Sequence, residues 1–545
     1  MPKGVPVFEA ALGGENQLAA RWVRWLPALV IIVAVGAAYA NSLSGRFVYD
    51  DLKSITQNPT IRHLWPPGSA WSPPAGGGLS GRPLVNFSFA LNYAVGGESV
   101  FGYHLLNLLI HGLAALTLFG VVRRTLLQPV LRERFGFEAR PLAAAVALVW
   151  AVHPLQTEAV TYLSQRTESL MGLFYLVTLY AFIRGVDSAV PRRWLMLSVG
   201  ACLLGAMSKE VIVTAPLIVL LYDRTFIAGS FQTAWRRRWG FYLGLGGSWL
   251  LLAGLMRGLA ARQVGYGLGV TGWDYALTEC WAVMHYLRLS VWPDPLVFDY
   301  GAGMVRSPMA TVVCTLLLAG TVLALWRRPV VGFVGAWFFV ILAPSSSVVP
   351  VALQPVAEHR MYLPLASVVS LLVFGLYMLT GRRSFVVMLV LAVVLGVRTP
   401  RRNAVYGNEV ALWEATVAQR PGNDRAQTNF GTALARSGQL AEAHRHFAEA
   451  VRLKPDDAVA RYNFGNVLLQ LERPVEALAE CEQAVRLQPA SAVFHCALGT
   501  ALAQLDRWEE AEKEYVTALR LQPNYPTAQA NLTQVRAQRA GAQGR

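Results

Sequence analysis

The sequence predicts an all-α protein in two parts: a polytopic helical membrane domain, then a C-terminal solenoid of short helical repeats. Three observations predict it. Of 545 residues, 54% are hydrophobic and only 15% are charged, where soluble domains carry nearer a quarter charged. Apolar runs of membrane-spanning length recur from Trp25 to about Arg398 and then stop. Beyond Arg401, prolines, glycines and alanines recur in register every 34 residues.

A helix needs about twenty mainly apolar residues to cross a bilayer. On that measure the chain has about eleven spans, at 25–43, 101–122, 141–160, 168–184, 193–207, 210–222, 239–257, 307–326, 330–349, 362–380 and 384–400. Residues 1–24 form a cytoplasmic tail, 25–400 the membrane domain with a long outer loop at 44–100, 401–538 the repeat domain and 539–545 a tail. Ala38-Tyr39-Ala40 fits a signal-peptidase site, but the first apolar run is read as an uncleaved span. Segment 273–292 has helical apolar spacing interrupted by Asp274, Glu279, His285 and Arg288. It is read as lying along the outer surface, which leaves the N-terminus inside and the C-terminus outside.

The net charge of +15 is distributed in short clusters between apolar runs: Arg123-Arg124, Arg192-Arg193, Arg236-Arg237-Arg238, Arg327-Arg328 and Arg382-Arg383. Cytoplasmic loops carry such clusters under the positive-inside rule, whereas a nucleic-acid surface gathers them on one folded face. Nucleic acid is therefore not an expected partner; membrane lipid is. Five cysteines without a CxxC pair suggest neither a disulfide framework nor a zinc site.

In the polar C-terminal part, Pro421, Pro455, Pro489 and Pro523 share the 34-residue period with Gly431, Gly465 and Gly499, and with Ala443, Ala477 and Ala511. This resembles the tetratricopeptide repeat, in which small residues let two antiparallel helices pack and the proline closes the second. Three complete repeats run from about 422 to 523, with a partial unit near Trp413 and a capping helix to about Gln538. Such arrays bind extended peptides on a concave face, or serve as spacers.

The loop after the first span opens on Arg46-Phe47-Val48-Tyr49-Asp50-Asp51. An acidic pair there suits a base that deprotonates an acceptor hydroxyl, a share in holding a divalent cation such as Mg²⁺ or Mn²⁺, or simply a solvated loop cap. A series of polar motifs follows: Gly81-Arg82-Pro83 with Asn86, Val152-His153-Pro154 with Glu158, Gln165-Arg166, Ser208-Lys209-Glu210, Phe298-Asp299-Tyr300 and Glu358-His359-Arg360-Met361-Tyr362. His104 and His153 lie on apolar helices and are read as core residues.

In order and spacing this series resembles the transmembrane-and-tetratricopeptide O-mannosyltransferases and their bacterial relatives, within the type C membrane glycosyltransferases. The resemblance runs from the first span through the repeats; the array here is shorter than in the animal members. It implies an inverting enzyme of the inner cell membrane, with its site and repeats on the periplasmic side. The resemblance also implies that a mannose-like sugar comes from a polyprenyl-phosphate donor and that the acceptor is a protein Ser or Thr. It implies catalysis by Asp50 or Asp51, Asp50 being favoured as base. Ionisable groups at membrane depth are usually functional, so Arg82, Glu158, Arg166, Lys209, Glu210, Asp299, His359 and Arg360 are the candidates for holding donor phosphate or acceptor. A membrane-anchored scaffold and a lipid-linked saccharide transporter are the alternative classes. No cofactor follows from the sequence, and the metal requirement stays open.

Overall fold

The computed structural model describes residues 25–74, 77–256, 269–347, 350–351 and 354–543; the 1–24 tail lies outside them. All the regular elements among the described residues are helices, and they divide into two compact units.

The first unit comprises residues up to Leu296 together with Ala302–Asn408. Six of its helices are long and apolar enough to cross a bilayer: Trp25–Ser44, Val100–Leu126, Leu163–Val186, Glu210–Ala228, Pro308–Arg327 and Leu365–Val405. The pair Ala139–Ala151 and Pro154–Thr161, bent by 57°, makes a seventh. The 41-residue stretch Leu365–Val405 is broken at Gly381, whose φ of 59° favours a residue without a Cβ. The count from sequence is higher because it includes shorter or more polar helices. Pro329–Leu342, for one, has 14 residues and reaches only about 21 Å at 1.5 Å per residue.

Val100–Leu126 packs on both Ala139–Ala151 and Arg166–Val186, and the latter on Pro191–Ala206. Buried polar contacts lock this core. His111 joins the Tyr362 hydroxyl through Nδ1 (3.0 Å) and the Ala151 carbonyl through Nε2 (2.9 Å). The Trp150 indole donates to the Tyr362 carbonyl at 2.8 Å. A Cβ at Gly172 would lie 2.5 Å from the Tyr362 ring, so only glycine fits there.

The arginine clusters gather at one end of the bundle. Arg124 lies over the Tyr180 ring, Thr125 meets the Tyr222 hydroxyl, Arg224 donates to the Leu325 carbonyl and Arg382 pairs with Glu138. Helix Gly272–Val291 meets the opposite end at Glu279 through Arg360, at the Tyr286 hydroxyl through the Ala357 N–H and at the Ser290 carbonyl through His153.

The second unit comprises Val297–Gly301 and Glu409–Arg545. The boundary falls at Asn408 rather than 400 because helix Ser384–Val405 continues through Arg401. The helix Pro526–Gln543 carries the cap past residue 538. The 34-residue period has a direct cause in packing. A Cβ at Gly431 would lie 3.1 Å from Phe447, one at Gly465 2.6 Å from the Cys481 sulfur, and one at Gly499 2.9 Å from Tyr515. Each first helix thus offers a glycine to a larger side chain on its second helix. Gly465→Val is expected to destabilise a soluble 409–545 fragment by about 1–3 kcal/mol, the usual cost of overpacking. The fragment should remain helical, and urea unfolding followed by circular dichroism measures the difference.

Candidate functional site

The loop after the first span is built around Asp51. Its Oδ1 accepts from the Ser164 N–H (2.7 Å) and hydroxyl (2.6 Å), and its Oδ2 from the Val48 N–H (3.2 Å). These bonds tie residue 51 to the segment 154–165, which exists because the helix pair is bent after Ala151. Asp50, one residue earlier, is half-buried, and its N–H donates to the Tyr162 hydroxyl at 3.1 Å. Tyr49 takes a left-handed φ of 50°, a conformation uncommon for a side chain of its size. It lets the two neighbouring carboxylates take different environments. Burial pushes Asp51 up to about 7, against the hydrogen bonds from Ser164 and Val48 that favour its charged form.

Asparagines hold the rest of the loop. Asn58 Nδ2 donates to the Ser54 carbonyl and to Asn86 Oδ1, both at 2.9 Å, and Asn86 Nδ2 donates to the Thr60 hydroxyl and the Ala70 carbonyl. Arg166 is a knot of the same kind. Fully buried, it donates to Asn107, Ser88, Asn92 and the Tyr103 carbonyl and lies 4.4 Å over the Phe89 ring. Its donors are committed to neutral acceptors, so it positions helices Pro83–Gly96 and Val100–Leu126.

Near this loop the interior carries matched charges. Lys209 pairs with Glu168 at 2.5 Å, Arg82 with Glu210 at 3.1 Å, and Arg360 with Glu279 at 3.2 Å. Glu158 accepts from His359 twice, from Nδ1 at 2.7 Å and from the backbone N–H at 3.0 Å. The sequence suggests Lys209-Glu210 and Glu158–Arg166 as natural couples; the fold chooses other partners for all four. In the break at Ser208, Lys209 has extended backbone, which sends it and Glu210 to opposite neighbours.

Lys209, Arg360 and Arg82 all act electrostatically on His359, and burial ahead of these cations drives its pKa well below the usual imidazole value. Its Nδ1 lies 2.7 Å from Glu158 Oε1. Burial opposes the charge on Arg360, but Tyr286, Tyr275 and Glu279 outweigh it and hold its pKa above the ordinary guanidinium value. Tyr162 stacks on Tyr406, and Arg402 lies over Tyr406 and 3.8 Å from Glu358, linking the Asp50 loop to this cluster.

The fold thus brings Arg82, Glu158, Lys209, Glu210, His359 and Arg360 together and sets the Asp50–Asp51 loop beside them. Asp299 is paired with Arg425. It sits in the second unit, where Arg425 binds its carboxylate through Nε and Nη2 (2.6 and 2.5 Å) and Asn423 donates to its carbonyl. Sequence reasoning passed over Ser164 and Glu168, and read Glu279 only as an interruption of segment 273–292. Their signal was available, since each is a polar residue set in or beside an apolar helical run. His104 differs from the satisfied core histidine expected: among the described residues neither ring nitrogen has a partner, and Nε2 lies where a Cβ on Gly45 would be 2.9 Å away.

Both Asp51 oxygens accept hydrogen bonds from Ser164 and Val48. Among the described residues no three His, Cys, Asp or Glu side chains are grouped to hold a metal.

Comparison with known proteins matches tetratricopeptide-repeat families over residues 428–492 and 492–525. Over 529 residues the chain is 27% identical to protein O-mannosyl-transferase Tmtc3 of Drosophila melanogaster, covering 79% of this chain and 55% of that protein. It is 24% identical to protein O-mannosyl-transferase F38B6.6 of Caenorhabditis elegans, covering 78% and 63%. With human protein O-mannosyl-transferase TMTC1 it shares 26%, covering 79% and 56%. The chain is thus similar to proteins named TMTC protein O-mannosyl-transferases. Those matched here are animal proteins, and the chain spans between about half and just under two thirds of their length.

Two outcomes test the geometry. The folded Asp51 carboxyl binds its proton more tightly than an unfolded one near 3.8. The folded state therefore holds more protons between about pH 4 and 7, and this group's contribution to stability falls as pH rises through that window. Asp51→Asn should flatten that part of the profile, measured as apparent melting temperature in detergent at fixed salt. Separately, Lys209→Met should destabilise by about 3–5 kcal/mol by leaving Glu168 buried without its partner. Lys209→Met combined with Glu168→Leu should recover most of that loss in the same assay.

Proposed function

We propose that this protein is an inverting membrane glycosyltransferase that moves a mannose-like sugar from a polyprenyl-phosphate donor to Ser or Thr hydroxyls of a polypeptide. The observation that carries this reading is the half-buried Asp50, set beside an aspartate whose oxygens are occupied by the loop and next to a cluster of cations. The homologues' names supply the reaction class.

Asp50 takes the proton from the acceptor hydroxyl as that oxygen bonds to the anomeric carbon. The bond from that carbon to the phosphate oxygen breaks, and the electron pair leaves on the polyprenyl phosphate. Attack from the face opposite the phosphate inverts the anomeric centre. A phosphate ester leaves as a weak base, so the step needs positive charge rather than a strong acid. Arg82, Lys209 and Arg360 supply it, the two arginines through forked donors that match phosphate oxygens. The Arg82–Glu210 pair is the most accessible of the three, with 15% and 30% side-chain exposure, and is the entry for the phosphate. His359 Nε2 accepts from a sugar hydroxyl.

Asp51 positions Asp50 rather than reacting. The repeats hold the acceptor polypeptide and raise its effective concentration, since both units belong to one chain. The arginine clusters lie at the end of the bundle away from Asp51, which supports an inner-membrane topology with the acidic pair on the extracytoplasmic side.

Asp50→Asn is expected to lower transfer from a polyprenyl-phosphate sugar to a hydroxyl-bearing peptide by about 10²–10⁴-fold, the range for loss of a general base. Elution and helicity should be unchanged. Asp51→Asn should cost less. Full activity in Asp50→Asn would remove the base from this position.

A further inference from the structure

The first unit contains a cavity of about 600 Å³ far from Asp50, lined by the last turns of Val100–Leu126, by Pro129–Phe135, by the start of Pro329–Leu342 and by Leu365–Thr380. Its volume is that of a ligand site. Its shape is long. Along one wall it follows the helix from Ala366 to Met378, about 18 Å at 1.5 Å per residue. That covers more than half of a hydrocarbon layer of about 30 Å. The lining is mainly apolar, and Val130, Val331, Leu371 and Met378 on its rim are exposed, so it opens sideways to where lipid tails lie.

One end is different. Arg134, Arg327 and Arg328 line it, all three exposed, and among the described residues none pairs with an acid. Arg134 rests against Phe135 at 5.6 Å, and the neighbouring Arg224 is committed to the Leu325 carbonyl. A long apolar trough ending in unmatched guanidinium groups complements a molecule with a long hydrocarbon chain and an anionic head. Basic pockets between membrane helices select anionic lipid headgroups in this way.

We propose that this trough is a binding site for an anionic phospholipid of the leaflet on the arginine side. Its phosphate is held by Arg134, Arg327 and Arg328, and an acyl chain lies along the Ala366–Met378 wall. The site is separate from the transfer site at the other end of the bundle and does not depend on the reaction proposed there.

The test is native mass spectrometry of the purified full chain in mild detergent, titrated with phosphatidylglycerol or with phosphatidylcholine of the same chains. One phosphatidylglycerol should be retained per chain, at least about tenfold more tightly than phosphatidylcholine. The triple variant Arg134→Gln, Arg327→Gln and Arg328→Gln should weaken it by about tenfold or more. Ser370→Trp, which fills the trough without touching the arginines, should weaken it too. Arg192→Gln with Arg193→Gln, a cluster outside the cavity, should change nothing, and circular dichroism checks the fold of each variant. Equal retention of the two lipids, or retention unchanged in both the triple variant and Ser370→Trp, overturns the proposal. So does displacement by glycerol phosphate at the concentrations where phosphatidylglycerol binds, since that would make the chain irrelevant.

Discussion

Charge held inside an apolar helical bundle has to be matched residue by residue, because neither protein interior nor hydrocarbon offers water to solvate it. At one end of this bundle that requirement organises the structure. Lys209 needs Glu168 and Arg360 needs Glu279, while hydrogen bonds from His359 meet the Glu158 carboxyl. Each pair joins elements far apart in the chain, so satisfying the charges also fixes which helices meet. The polar end is therefore ordered for an electrostatic reason, its cations and carboxylates held in fixed pairs.

The same economy appears in the loop that carries the acidic pair. The loop buries apolar side chains of its own, among them Ile55, Ile61, Ala70 and Leu79, and hydrogen bonds add to that order. Asn58 and Asn86 bind one another and the backbone, while Asp51 accepts from Ser164 and Val48. Arg166, buried and bonded to neutral acceptors, anchors the helices beneath. Two adjacent aspartates thus acquire unequal surroundings: Asp51 is buried and closes the loop, and Asp50 is half-buried.

The opposite end of the bundle follows another rule. Its arginines are exposed at helix ends and in short turns, where water or lipid headgroups balance them, and only some find acids, as Arg382 does in Glu138 and Arg238 in Asp223. In the repeat unit, order comes from local contacts repeated at fixed spacing, each glycine against one large side chain. Stability there is a sum of nearest-neighbour terms, which is why so short an array still holds its form.

Sequence by itself determined the all-helical class, the apolar membrane domain and the repeat array. These depend on composition and on short-range periodicity, and Gly431, Gly465 and Gly499 announce their packing through spacing alone. It also named most of the polar cluster, because an ionisable residue in an apolar run is conspicuous without any coordinates. Only the tertiary structure decided the partners. Lys209 and Glu210 are neighbours in sequence yet bind Glu168 and Arg82, and Asp299 looked like a member of the cluster yet binds Arg425. The end of each helix and the bend after Ala151 set those choices. Pairing in an interior depends on which atoms can approach within about 3 Å, and that distance is a property of the folded chain, not of separation along it.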